Sequence, residues 1–178
     1  MSRITDVVKH LIIINVIFFV GNQLMNGQLG GWFALFFPQN PNFGFWQFLT
    51  HMFMHGGFMH ILFNMYALWA FGSPLEQMWG KQKFAFFYFS SGLGAALVYT
   101  GVNYFQFNSI YQDLLAAGMS SENIQALLET GRYTTDILDR VSEQKLSEFY
   151  QIFNTPAVGA SGAVYGCLLY TSPSPRDA

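Results

Sequence analysis

The stretch HMFMHGGFMHILFN at residues 51–64 decides the fold, because it places three histidines and an asparagine at the head of a long apolar run. No Asp, Glu, Lys or Arg occurs between His10 and Leu75, so nothing charged accompanies these polar side chains. Polar groups in such surroundings are costly unless they face a partner or a water-filled cavity. The stretch therefore predicts one wall of a functional site inside a membrane.

The composition agrees with a membrane setting. Of the 178 residues, 52% are hydrophobic and 10% are charged, against about 25% charged in a soluble domain. The net charge of -2 gives a nucleic-acid partner no electrostatic support. The single cysteine, Cys167, allows no internal disulfide.

Apolar runs predict an all-α polytopic membrane protein. The predicted spans are residues 10–29, 52–72 and 84–104, with a fourth span starting at 158–166, since about 20 residues cross the hydrocarbon layer. Gly72-Ser73-Pro74 predicts the end of the second span. The first span lacks a cleavage site after its apolar run, so we expect it to be retained.

Basic residues in the short loops predict the orientation. Arg3 and Lys9 precede the first span, Lys81 and Lys83 separate the second from the third, and the first loop has none. The positive-inside rule then places the N-terminus in the cytoplasm of a multi-pass protein of the plasma or inner membrane. The aromatic, proline-containing segment 30–50 is predicted to lie in the outer interface.

Residues 105–155 predict a soluble, mostly helical insertion on the extracytoplasmic side. They hold seven acidic and three basic residues, a net charge of -4. Ser120 or Ser121 is predicted to cap a helix ending at Gly131, and Thr134 or Thr135 to cap a second helix. The second helix has an apolar stripe made of Leu138, Val141, Lys145 or Leu146, Phe149 and Phe153. We interpret the insertion as a helical hairpin over the outer mouth of the membrane domain, with partner docking or substrate selection as the alternative.

Residues 167–178 break the fourth apolar run. Pro173 and Pro175 cannot continue a helix, and the string matches the translation of a common transposon-based sequencing adapter. We therefore expect a non-native tail and a chain truncated early in its fourth span; a genuine polar C-terminus is the alternative.

Ser161 is a candidate nucleophile. It lies between glycines, in Gly159-Ala-Ser161-Gly162, at the predicted start of a helix. Backbone N–H groups at a helix start are unpaired donors that suit a developing oxyanion. Small residues including serine are also common where membrane helices pack, and for an isolated motif this is the more frequent explanation.

His60 and Asn64 are four residues apart and share a helix face. Both can donate hydrogen bonds toward one point, although an isolated pair of this kind more often ties two helices together. His51 and His55 are predicted to brace the aromatic loop or cap helix ends. A zinc site of His51, His55 and His60 is disfavoured, because His55 and His60 are five apart and no Glu or Cys joins them. We expect no metal or organic cofactor.

These residues together resemble the rhomboid intramembrane serine proteases. The resemblance rests on three stretches, which are His51-x-x-x-His55-x-x-x-x-His60-x-x-x-Asn64, Glu76 with Gly80, and Gly159-x-Ser161-Gly162-x-x-Tyr165. Trp46 is similar to a tryptophan before the second span in many members, while Gln47 stands where several members carry arginine.

The resemblance implies a six-helix bundle that cleaves transmembrane segments of other membrane proteins. It implies Ser161 as nucleophile, an oxyanion hole of His60, Asn64 and the Ser161 backbone, and a histidine of the sixth helix as general base. Tyr165 would stack on that base, and Gly159 would allow close approach of the substrate backbone.

None of the four histidines of this sequence fits the sixth-helix role. A serine without a base is a weak nucleophile, so we expect the 178-residue form to be inactive and its full-length parent to be active. Two alternatives stay open: an inactive rhomboid-like protein that binds transmembrane clients, and a polytopic transporter or channel with a histidine-lined path.

Overall fold

The computed structural model of the protein describes residues 3–171. Within them every regular element is a helix or a helical turn, apart from one isolated antiparallel bridge between Leu35 and Ala157, which confirms the predicted all-α class. The α-helices are α1 Asp6–Leu24, α2 Gln28–Phe33, α3 Gln47–Thr50, α4 Phe58–Ala67, α5 Ser73–Trp79, α6 Lys81–Ala116, α7 Ser121–Thr130, α8 Glu143–Asn154 and α9 Ser161–Thr171. Short 3-10 turns occupy His51–Phe53 and Thr135–Asp139, and a π turn occupies Leu68–Gly72.

The described chain forms two compact units. The first contains residues 3–35, 45–97 and 157–171, and the second contains Phe36–Gly44 and Val98–Pro156. Each unit has its own buried apolar cluster. The candidate site residues belong to the first unit, and most of the acidic insertion belongs to the second.

Among the described residues, α1 and α6 are long and apolar enough to cross a membrane. Only 17% of the most apolar window of each helix is buried, whereas the core helix of a soluble protein is mostly buried. Ile13, Ile17 and Val20 of α1 point outward from the unit. Apolar side chains exposed in this way fit a lipid environment.

The second predicted span is shifted along the chain. Its helix begins at Phe58 and continues through the π turn to Trp79, so the prediction that Gly72-Ser73-Pro74 ends it is wrong. Pro74 lies in the first turn of α5, where a missing N–H is tolerated, and the π turn accommodates the altered hydrogen-bond pattern. Gly80, with φ of 80°, makes the break before α6.

The carboxylate of Glu76 caps the N-terminus of α1. The backbone N–H groups of Val7 and Val8 each donate to one of its oxygens at 3.0 Å. Glu76 is only 4% exposed, so this pairing explains how a carboxylate is accommodated in the apolar core. The N-terminus of a helix carries a partial positive charge and therefore favours a negatively charged partner.

Small residues bring α6 and α9 into close contact. A Cβ added to Gly162 would lie 2.6 Å from the Ala95 Cβ, and one added to Gly166 would lie 2.6 Å from the Ser91 Oγ. Gly94 has open space around it and faces away from this contact. The placement of α9 beside α6 therefore depends on glycine at 162 and 166.

The helix α9, Ser161–Thr171, overlaps residues 158–166, where a fourth span is predicted to start, and the span itself stays a prediction. Residues 167–171, assigned from the sequence to a non-native tail, continue α9, and Cys167 is buried in the first unit. Residues 172–178 lie outside the described residues, and the origin of the tail stays a prediction.

The second unit combines the end of α6 with α7 and α8. Ser120 caps α7 by accepting a hydrogen bond from Asn123 N, and Gly131 ends it in the left-handed conformation, as predicted. The prediction that Thr134 or Thr135 caps the second helix of the insertion is wrong. A 3-10 turn follows Thr134, and α8 begins later, where the Ser142 side chain accepts a hydrogen bond from Lys145 N. In that turn Ile137 is buried while Leu138 is exposed, so Leu138 does not belong to the apolar stripe.

The boundary predicted at residue 105 is not a helix end. α6 continues unbroken to Ala116. At 1.5 Å per residue its 36 residues extend about 54 Å, well beyond the ~30 Å of a hydrocarbon layer.

Candidate functional site

Ser161, His60, Asn64 and Tyr165 line one cavity of the first unit. The cavity lies between the second predicted span and α9 and has a volume of about 410 Å³. Its remaining lining is apolar and consists of Met59, Phe63, Ala67, Phe71, Val164 and Leu168. Four residues selected from separate parts of the sequence thus meet at one place, and their chemical roles stay predictions.

The backbone before Ser161 is fixed by hydrogen bonds to distant segments. Leu35 and Ala157 exchange two backbone hydrogen bonds of 2.9 and 2.8 Å. Gly159 N donates to the carbonyl of His51 at 2.9 Å. The chain therefore reaches Ser161 as an extended segment and turns into α9 there, which leaves the first N–H groups of α9 without carbonyl partners inside the helix.

Gly159 lies directly against the imidazole of His60. Its φ is 117°, and a Cβ at this position would lie 2.7 Å from His60 Nε2 and 3.8 Å from Asn64 Nδ2. The resemblance implies that Gly159 allows close approach of a substrate backbone. The structure gives this glycine a further role, which is to let His60 lie beside the start of α9.

Asn64 is oriented by its own helix. Its Nδ2 donates to the carbonyl of His60 at 3.0 Å. An amide nitrogen carries two hydrogens, so a second N–H of Asn64 is available at the cavity wall that Asn64 lines. His60 and Asn64 together can present side-chain donors close to the N–H groups of α9.

His51 links three parts of the first unit. Its Nδ1 pairs with the carbonyl of Gln47 at 2.9 Å, so that nitrogen carries the proton in this arrangement. Its own carbonyl accepts from Gly159. These bonds connect His51 to Gln47 and to the segment before Ser161, and its role as a bracing residue stays a prediction.

His55 is 2% exposed, and its ring lies edge-on against that of His60 with centroids 5.0 Å apart. His55 therefore packs against His60, which itself lines the cavity. No group of three or more His, Cys, Asp or Glu residues in the described part of the chain is arranged to hold a metal ion.

The aromatic loop is tied to the end of α2. Trp46 Nε1 donates to the Trp32 carbonyl at 2.8 Å, and Thr50 Oγ1 donates to the Phe33 carbonyl at 2.9 Å. Gln47, which the sequence left without a role, is completely buried, and its amide lies 3.4 Å from the same Trp32 oxygen. The roles of Gln47 and Thr50 could not be predicted from the sequence, because both act through tertiary contacts with carbonyl groups.

The other two motif residues differ in their surroundings. Tyr165 is exposed on the cavity side of α9, one turn after Ser161, where its ring can stack on an incoming group. Gly162 packs against Ala95 of α6. Its observed contact is therefore with a neighbouring helix.

Comparison with known protein families matches residues 42–128 to the Rhomboid domain. The matched range contains His51, His55, His60 and Asn64, together with Glu76. Gly159, Ser161 and Tyr165 lie after it, so their assignment rests on the motif and on the cavity.

Proposed function

Because this chain belongs to the rhomboid family, we propose that it is an intramembrane serine endopeptidase that cleaves transmembrane segments of other membrane proteins. The family match confirms the resemblance drawn from the sequence. One observation carries the proposal: Ser161, His60 and Asn64 line the same apolar cavity.

In the proposed reaction, the hydroxyl oxygen of Ser161 attacks the scissile carbonyl. Negative charge then develops on the carbonyl oxygen, where preorganised donors stabilise it most. The donors are the N–H groups of the first turn of α9, the His60 ring and the amide of Asn64. The contact between Gly159 and His60 supports this preorganisation, because it holds the imidazole beside that turn.

The proton of Ser161 needs a base. His10 bonds to the carbonyl of Asp6 in the first turns of α1, and His51 bonds to Gln47. His55 is enclosed behind His60. We therefore assign the base of the proposed Ser–His dyad to a histidine other than these four, and we expect the 178-residue form to be inactive.

The substrate class follows from the lining of the cavity. Met59, Phe63, Phe71 and Leu168 offer apolar surface to a segment that leaves the lipid. A helix in lipid hides its carbonyls in hydrogen bonds. Segments with helix-breaking residues are therefore the expected substrates.

The proposed membrane arrangement is polytopic, with a cytoplasmic N-terminus and an extracytoplasmic insertion. The pattern of exposure along α6 supports its central part. Large apolar side chains are exposed from Phe86 to Phe105, and no exposed one follows in the rest of the helix. This range agrees with a span at 84–104.

The second candidate function is an inactive rhomboid-like protein that binds transmembrane clients in the same cavity. The presence of Ser161 beside His60 and Asn64 favours the protease. A transporter is a weaker candidate, because it gives no reason for a serine at the start of α9.

The test is labelling by a fluorophosphonate probe, which reacts with activated serines. We expect the full-length protein and its Ser109→Ala control to be labelled, since Ser109 is exposed on α6. Ser161→Ala should abolish labelling, and the 178-residue form should show none. If labelling persists in Ser161→Ala, or if the full-length protein is not labelled, the protease function would be excluded. The inactive rhomboid-like protein would then be the remaining candidate.

A further inference from the structure

The second unit contains a cleft that the proposed catalytic site does not use. It has a volume of about 670 Å³ and is bordered by α7, the end of α8, one turn of α6 and residues 39–42. We call it the α7 cleft. It lies within the size range of ligand pockets, roughly 300–1,000 Å³.

The floor of the α7 cleft is apolar and aromatic. Ile124 and Leu128 of α7, Tyr111 of α6 and Phe153 of α8 form it. Ile124 and Phe153 also belong to the apolar cluster of this unit or pack against it. The floor is therefore part of the folded core and is present before any ligand arrives.

The rim carries carboxamide side chains, two of which are fixed. Asn40 donates to the Phe153 carbonyl at 2.8 Å and accepts from Asn42 N at 2.9 Å. Asn154 donates to the Leu128 carbonyl at 2.8 Å. A rigid rim lowers the ordering cost of binding.

The electrostatics of the cleft favour a cation. Glu129 is the one charged residue in its lining, and no Lys or Arg lines it. Among the ion pairs of the described residues, none includes Glu129; its Oε1 accepts a hydrogen bond from Gln125 at 2.9 Å. The insertion has seven acidic and three basic residues, so its overall charge also disfavours phosphate or carboxylate ligands.

We propose that the α7 cleft binds an extended, positively charged polypeptide segment. Its apolar side chain would lie on the Ile124–Phe153 floor, and its Lys or Arg would pair with Glu129. Carboxamides both donate and accept, so Gln125 and Gln39 can bond the peptide backbone. The inference rests on the proposed function, since the segment would be an exposed part of a membrane-protein substrate next to its cleaved span.

The experiment measures the binding of two fluorescent ten-residue peptides by anisotropy. In one peptide, leucine and lysine residues are separated by serine. In the other peptide, each lysine is replaced by glutamate. The protein is the full chain carrying Ser161→Ala, in phosphatidylcholine nanodiscs, with empty nanodiscs as the blank. We expect the lysine peptide to bind at least roughly tenfold more tightly than the glutamate peptide. This ratio is equivalent to about 1.4 kcal/mol of binding free energy.

A matched pair of variants locates the site. Glu129→Lys should weaken binding of the lysine peptide about tenfold, whereas Glu122→Lys should change it less than about threefold. Both glutamates lie on α7, and Glu122 is exposed and does not line the cleft. Circular dichroism on both variants checks that the fold is retained.

Equal effects of Glu129→Lys and Glu122→Lys would show attraction by net charge alone and would overturn the proposal. Preference for the glutamate peptide would overturn it as well. Because Ser161 is already replaced in this measurement, its result is independent of the probe-labelling test of the protease.

Discussion

The imidazole of His60 lies where the side chain of residue 159 would be if that residue were not glycine. A Cβ on Gly159 would lie 2.7 Å from Nε2 and 2.9 Å from Cε1 of His60. Both atoms belong to the ring, so a small shift of a flexible chain end cannot relieve the clash. The positions of His60, the proposed oxyanion donor, and of the turn before Ser161 are therefore coupled.

Gly159→Ala is expected to abolish most activity. Alanine is strained at φ of 117° and displaces His60. Removing one oxyanion donor typically lowers kcat about 100- to 1,000-fold. The measurement is cleavage of a transmembrane substrate by the full-length protein in detergent. Gly94→Ala is the control, because Gly94 has open space around it and this variant should retain its rate.

Gly162→Val is expected to destabilise the first unit. The added side chain must push against Ala95, whose Cβ lies 2.6 Å from the position of a new Cβ. Overpacking of this kind costs about 1–3 kcal/mol. Thermal unfolding in detergent should show a lower Tm for Gly162→Val than for Gly101→Val, where no atom lies within 4 Å. Equal Tm values for the two variants would contradict the packing of α9 on α6.

Glu76→Gln is expected to weaken the attachment of α1. The carboxamide has one acceptor oxygen for the two N–H groups of Val7 and Val8, and it lacks the charge. Hydrogen bonds to charged groups contribute about 1.5–3 kcal/mol. The loss should appear as a lower Tm and as faster hydrogen exchange in the first turn of α1. The exposed Glu122→Gln should leave both quantities unchanged.

Ser142→Ala is expected to destabilise the start of α8 by about 0.5–2 kcal/mol, since the alanine cannot accept from Lys145 N. Faster amide exchange at residues 143–146 would report this change. Thr134→Ala is the comparison, because Thr134, one of the two residues predicted as a cap, makes no side-chain cap hydrogen bond in the structure. A larger effect at Thr134 than at Ser142 would restore the prediction made from the sequence.

Local patterns explain which features could be predicted. His60 and Asn64 share a face because of the helical repeat, and Ser120 and Gly131 bound α7 by rules that involve neighbouring residues only. The continuation of α6 beyond residue 105 could not be predicted, because a change in composition is not a helix stop. No Gly or Pro occurs between Gly101 and Gly118, so α6 continues through its polar residues.

Other features depend on distant partners. The continuation through Pro74 depends on a π turn, which no local signal marks. The burial of Gln47 follows from the carbonyl of Trp32, and the reason for glycine at 159 follows from His60. Contacts of this kind appear only when the chain is folded.

The two hydrogen bonds between Leu35 and Ala157 also have a consequence for folding kinetics. They join segments far apart in sequence, and contacts of that kind form slowly because a large loop must close first. Together with the bond from Gly159 to His51, they position the start of α9. A newly made chain would therefore carry Ser161 for some time without the donors that we propose for it, and the proposed nucleophile would stay inert until the first unit has assembled.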